Sequence, residues 1–185
     1  PISKLTKEQA MYHFISGYTS KVAGTEEGVI EPEATFSSCF GSPFMPLHPA
    51  IYASMLGQKI EETDVNVWLI NTGWSGGPYG IGDRIKLKYT RSMISAAIEN
   101  KLIDINYKKH NIFQLNMLTK CPNVPDDILD PINTWGNKLN YNKTAQKLAN
   151  LFHSNFNIIS NSKTSQSIIN PNKLKEIELG GPEHS

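Results

Sequence analysis

The sequence predicts an α/β chain of mixed strands with flanking helices, and three patterns carry that prediction. The densest apolar run, Val65, Val67, Trp68, Leu69 and Ile70, has the length and branched side chains of a strand. Gly73, Gly76, Gly77, Gly80 and Gly82 follow it within ten residues. Beyond the glycines, apolar residues return at helical spacing through Ile94, Ala97, Ile98 and Leu102, and again at Ala145, Leu148, Ala149, Phe152 and Phe156.

The elements follow in order. Thr6 and Gln9 stand at capping-box spacing ahead of Ala10, Met11, Phe14 and Ile15, which predicts a helix from near Thr6 that ends by Gly17. From Tyr18 to Glu33 charges, two glycines and a proline mix without a sustained period, which predicts a long loop. Loops of that length are disproportionately lids or binding loops, and a lid and a plain surface connection both stay open here. Ala34 to Phe40 reads as a short strand broken by Gly41, Ser42 and Pro43. Pro49 suits the first turn of a helix through Ile51, Tyr52, Met55 and Leu56. The strand at Val65 to Ile70 is apolar enough to predict burial on both faces. Thr90 is placed at the start of the next helix, and the polar, Ser/Asn-rich stretch from Asn157 to Asn172 predicts a weakly structured tail. No internal repeat and no dividing linker are evident.

In 185 residues, 18 Lys and Arg against 17 Asp and Glu leave a formal charge of +1. That balance argues against a nucleic-acid partner, which needs a basic excess. Cys39 and Cys121 form no C-x-x-C pair and no zinc spacing, so two buried free thiols in a reducing compartment are expected, with a disulfide as the alternative. No apolar run approaches the ~20 residues of a membrane span, and no signal-peptide pattern opens the chain. A soluble, cytoplasmic protein is expected, with no membrane partner. The first residue is Pro1, which suggests a cut inside a larger protein.

Glycines between a strand and a helix let backbone approach a ligand closely. They are followed by no Lys-Ser/Thr pair of a phosphate loop and contain no G-x-G-x-x-G, so phosphates are expected to be cradled elsewhere. Arg84 ends the segment; its flat guanidinium could stack on a nucleobase or ribose, or be a solvated charge. Thr90 could meet a base edge or cap the helix. His13, His48, His110, His153 and His184 are scattered, and none forms a nucleophile motif with Ser or Cys. Glu26, Glu27, Glu31 and Glu33 lack calcium-loop spacing, and no metal site is expected there.

Two long blocks then become specific: YHFISGYTSKVAGTEEGVIEPEATFSSCFGSPF, from Tyr12 to Phe44, and VNVWLINTGWSGGPYGIGDRIKLKYTRSMI, from Val65 to Ile94. In this order they closely resemble the ATP-dependent phosphoenolpyruvate carboxykinases. CPNVPDDILDP, the helix from Leu148 to Phe156, and the final LGGPEHS resemble the same family. The resemblance implies the second half of a mononucleotide-binding C-terminal domain over residues 1–156, with a lid at about 18–33, a nucleotide wall at about 65–94, and a tail over 157–185. It implies a lyase of gluconeogenesis that turns oxaloacetate and ATP into phosphoenolpyruvate, ADP and CO2, with Mg2+ on the nucleotide and Mn2+ in the complete enzyme.

By the same resemblance Arg84, Ile85 and Thr90 contact ATP. Ser20, Lys21, Val22, Ala23, Gly24, Thr25, Glu26, Glu27 and Gly28 form the active-site lid, although some members carry Arg where Glu27 stands. The phosphate loop, the metal ligands and the arginines that hold oxaloacetate would lie upstream, so no catalytic residue and no metal ligand are expected in this chain. The isolated chain is expected to be inactive and not to fold stably. Two other readings stay open: a non-catalytic nucleotide-binding module or pseudoenzyme fragment, and a structural interaction fragment. An upstream phosphate loop with carboxylate metal ligands would discriminate them.

Overall fold

A computed structural model describes residues 1–21, 33–162 and 169–183. In chain order the elements are β1 (Ile2–Leu5), α1 (Lys7–Ser16), β2 (Tyr18–Lys21), β3 (Glu33–Phe36), α2 (Pro49–Thr63), β4 (Val67–Ile70), β5 (Trp74–Ser75), β6 (Asp83–Arg84), α3 (Leu87–Ile98), β7 (Tyr107–Lys109), β8 (Asn116–Leu118), α4 (Asp126–Leu129), α5 (Pro131–Thr134), α6 (Lys138–Ser160) and α7 (Pro171–Glu178). The mixed α/β class is borne out. The chain divides into two compact units, Pro1–Leu5 with Val67–Lys147, and Thr6–Asn66 with Leu148–Ser185. None of the described helices is long and apolar enough to cross a membrane.

The first unit is built on a four-stranded sheet in the order β4-β1-β8-β7, antiparallel throughout. Ile2 of β1 and Leu118 of β8 meet Met93 and Ala96 of α3, and Leu102, Cys121, Val124 and Leu129 complete that core. The apolar strand differs from expectation. It starts at Val67, all four of its residues are half-buried, and Val65 before it is 54% exposed. The reason is its place at the sheet edge: it pairs with β1 alone, and only Trp68 and Ile70, which share a face, pack on the core.

The second unit is helical. Thr6 caps α1 with the complete reciprocal box, and Gly17 ends it in the left-handed conformation, as the sequence predicts. Pro49 opens α2, with His48 as its cap. The two helices approach closely at Gly57, where a β-carbon would stand 2.4 Å from Met11 Sδ. Tyr12 and Phe152 are almost fully buried, and the Phe152 ring meets Tyr18 at 5.2 Å, Phe36 at 5.1 Å and His13 at 5.5 Å. Lys7 on α1 reaches Glu61 of α2 and Glu176 of α7, both at 2.5 Å.

Three boundaries are corrected here. The loop expected from Tyr18 begins as a strand, because Tyr18↔Phe36, Thr19↔Thr35, Ser20↔Ala34 and Lys21↔Glu33 form an antiparallel ladder. The strand expected through Phe40 stops at Phe36, because Cys39 and Phe40 take left-handed backbone, φ 56° and 59°, in a 3-10 turn. The polar tail also holds regular structure: α6 runs on to Ser160, and Pro171 starts α7, whose Ile177 is fully buried. Polarity misleads there because one buried face suffices for a short helix.

Candidate functional site

The glycine segment folds as a two-rung antiparallel ribbon, Trp74↔Arg84 and Ser75↔Asp83. At its tip Ile81 N and Gly82 N both donate to Pro78 O, at 3.1 and 2.9 Å. Only glycine fits at residue 82, since a β-carbon would stand 2.5 Å from both Gly77 O and Ser75 O. At its base Ile85 N donates to Gly73 O at 2.9 Å. The ribbon is also tied sideways. Thr134 of α5 lies 3.1 Å from Ser75 Oγ, accepts from Gly76 N at 3.1 Å, and donates to Pro131 O at 3.0 Å. No local sequence signal marks this role of Thr134, because its partners on the ribbon are 58 and 59 residues away.

Beside the ribbon lies an open cavity of about 430 Å³, with Gly76, Gly77, Pro78 and Ile81 on the ribbon side and Trp135, Asn137, Asn140 and Lys143 at the start of α6. A volume of that order is what a small-molecule site has. Asn137 Oδ1 is already engaged, accepting from Leu139 N and Asn140 N.

The three residues expected to meet nucleotide lie close in sequence but in different environments. Arg84 is exposed at the ribbon end, its guanidinium carbon 5.9 Å from the centre of the Trp74 ring. Ile85 is half-buried against the sheet core. Thr90 is buried in the first turn of α3. The capping alternative for Thr90 is overturned: α3 starts at Leu87 with Lys86 as its cap residue, and Thr90 N donates back to Lys86 O at 3.3 Å. None of the three lines the cavity beside the ribbon. Of the expected lid, Ser20 is exposed on β2 and Lys21 ends that strand; Val22, Ala23, Gly24, Thr25, Glu26, Glu27 and Gly28 lie outside the described residues.

Three of the described histidines, His48, His110 and His13, are held within the fold. His48 Nδ1 accepts from Ala50 N, so the ring proton sits on Nε2, which faces Ser162 Oγ at 3.2 Å while the ring also hydrogen-bonds the Ile159 backbone. A general base needs the opposite polarity. His110 Nδ1 accepts from both Ile112 N and Phe113 N at 3.1 Å, so its Nε2–H donates to Tyr141 at 2.7 Å. Burial holds the His110 pKa below the usual imidazole value, and burial pushes the Tyr141 hydroxyl up to about 12, with the nearby Asp130 charge adding to it. His13 lies buried on α1, and burial lowers its pKa to about 4. His184 lies outside the described residues.

Cys39 and Cys121 are buried and unpaired, as expected. Burial pushes the Cys39 thiol up to about 11, so it is not poised as a thiolate nucleophile. Among the described residues no three His, Cys, Asp or Glu side chains gather where a metal ion could sit.

Comparison with known proteins matches residues 1–127 to the phosphoenolpyruvate carboxykinase family of the ATP type. Over 156 residues the chain is 62% identical to the phosphoenolpyruvate carboxykinase (ATP) of Caldanaerobacter subterraneus subsp. tengcongensis, covering 84% of this chain and 30% of that protein. The Christiangramia forsetii protein of the same name is likewise 62% identical over 156 residues, and that of Alkaliphilus oremlandii is 56% identical over 171 residues, or 92% of this chain and 32% of the relative. The chain thus spans about 30% of the length of the curated relatives it matches. The matched region holds the whole strand, glycine ribbon and helix with Arg84, Ile85 and Thr90, and the chain belongs to the ATP-dependent phosphoenolpyruvate carboxykinase family.

Proposed function

We propose that this chain is the nucleotide-side segment of a cytoplasmic phosphoenolpyruvate carboxykinase, a lyase that converts oxaloacetate and ATP to phosphoenolpyruvate, ADP and CO2 in gluconeogenesis. In this reading it is the second half of a mononucleotide-binding C-terminal domain. Residues 1–156 hold the lid and the nucleotide wall, and 157–185 form the tail. The observation that carries the reading is the glycine ribbon, which lifts an exposed Arg84 beside the half-buried Ile85 within the family match. A planar cation there can stack on the adenine of ATP, with Ile85 against the base edge and Thr90 behind it.

Residues 20–28 are the lid, anchored through Ser20 and Lys21 on the β2–β3 ladder. Its closure keeps water from the enolate left by decarboxylation, so that the enolate carbon is not protonated and the enolate oxygen takes the γ-phosphoryl group as ADP leaves. Mg2+ travels with ATP, and Mn2+ serves the complete enzyme. The described residues offer no ligand cluster for either. Phosphoryl transfer rests on phosphate and metal ligands in the rest of the polypeptide.

The test is nucleotide binding by the full-length protein that carries this segment. Arg84→Ala is expected to weaken ATP binding by about 1–2 kcal/mol, roughly five- to thirtyfold, with Arg84→Lys rescuing only in part. Near-equal dissociation constants for wild type and Ala would remove Arg84 from the nucleotide wall. Residues 1–185 alone are expected to show no oxaloacetate-dependent ATP consumption; turnover by the isolated chain would place the catalytic machinery inside it.

A further inference from the structure

We infer that Trp74 is the positioning residue for Arg84, fixing its guanidinium as the middle layer of an indole–guanidinium–base stack. This rests on the reading of Arg84 as a nucleotide contact. Arg84 is exposed, and a long unbranched cation at a ribbon end loses substantial rotamer freedom when a ligand immobilises it. Something must hold it beforehand if it is to bind well. Among the described residues it has no ion pair and no side-chain hydrogen bond, and its guanidinium carbon lies 5.9 Å from the centre of the Trp74 ring.

The contact is built by the backbone. Trp74 and Arg84 are directly opposed in the ribbon, so their side chains leave on the same face. The ribbon is pinned next to them by the Ile85 N to Gly73 O bond, and Ile85 is seated in the sheet core. Trp74 is itself half-buried and braced by Tyr79, edge to face at 5.3 Å and 83°. A braced indole offers one π face to the cation, which has two flat faces. With one face turned to the indole, 5.9 Å from its centre, the other is left for a second aromatic plane, such as an adenine ring.

A double-mutant cycle in the full-length protein separates this from a merely structural tryptophan. Trp74→Leu keeps an apolar side chain and loses the π face; it is expected to weaken ATP binding about three- to tenfold, while Trp74→Phe, which keeps a π face, recovers most of the affinity. In an Arg84→Ala background Trp74→Leu is expected to change ATP affinity less than twofold, because the residue it positions is gone. Inorganic triphosphate, which has no base to stack, is expected to bind all variants alike.

If Arg84→Ala alone leaves ATP affinity unchanged, the underlying reading fails. If Arg84→Ala weakens binding but Trp74→Leu does not, or its effect persists undiminished without Arg84, the positioning role is overturned. Should Trp74→Leu fail to fold, the Trp74→Phe and Trp74→His rings carry the same cycle, and their failure to couple to Arg84 overturns it equally.

Discussion

Glycine does different work in the two units. In the helical unit Gly17 takes left-handed backbone at the end of α1, and a β-carbon there would stand 1.7 Å from Ser37 O. At the tip of the ribbon Gly80 is also left-handed, φ 82°, but no heavy atom lies within 4 Å of where its β-carbon would be. The first glycine lets two pieces of backbone touch. The second shapes a turn and leaves the space beside it open. The helical unit is closed by contact, with Phe152 only 2% exposed amid four rings, while the ribbon keeps Asp83 and Arg84 at the surface. The ribbon thus combines rigid anchors with an unoccupied side.

The largest expected effect breaks that contrast if it fails. Gly17→Ala must move the backbone of Ser37 and is expected to cost about 3 kcal/mol or more, whereas Gly80→Ala pays only the left-handed penalty of about 1–2 kcal/mol. Urea unfolding midpoints of the two variants in the full-length protein measure the difference, and equal losses would show that the close approach at Gly17 is readily relaxed.

The second test concerns burial of a titratable group in the helical unit. His13 has no hydrogen-bond partner for Nε2 among the described residues, and its pKa falls from 6.5 to about 4. The native state therefore resists a proton that the unfolded chain accepts below pH 6.5. The stability this residue leaves intact above pH 6.5 is lost as the pH falls toward 4, by up to about 3 kcal/mol. Unfolding midpoints from pH 7 to pH 4 should fall more steeply for wild type than for His13→Phe; parallel slopes would mean that the imidazole is hydrated.

The smallest effect is electrostatic. Hydrogen bonds to Glu176 and then Glu61 raise the Lys7 pKa, yet the Glu61 side chain is 61% exposed, so the network is screened. Lys7→Met is expected to cost about 1 kcal/mol or less, shrinking with added salt. A salt-independent loss of several kcal/mol would make the helical unit depend on charge rather than on its rings.

Legibility in the sequence followed the range of the forces. Thr6 with Gln9, Gly17 and Pro49 were readable because each acts within three or four residues of itself. The buried face of α6 was readable because helical spacing repeats. β1, β7 and β8 were missed: strands of three or four residues have almost no signal of their own and are made by partners far along the chain. The same physics hid β2, so Ser20 and Lys21 were assigned to a loop when Ala34 and Glu33 hold them in a ladder.

At the site, Arg84 stood out by its place after the glycines, while Trp74 and Thr134 acquire meaning only once the ribbon closes. The start of α3 was misplaced at Thr90 because Lys86 caps without a side-chain hydrogen bond, leaving no residue type to read.

Near the other end of the helical unit, Gly180 and Gly181 lie against α1 so tightly that a β-carbon on Gly180 would stand 2.1 Å from Glu8 O, and one on Gly181 would stand 2.7 Å from the Tyr12 ring. On a ribosome the polypeptide emerges in order, and α1 is made more than 160 residues before the glycines that finish covering it. Until they arrive, the nascent helix shows part of its apolar side to whatever is nearby. Completion of this unit therefore waits on residues far along the chain from α1, and during that wait the uncovered helix is open to chaperones and to mispairing.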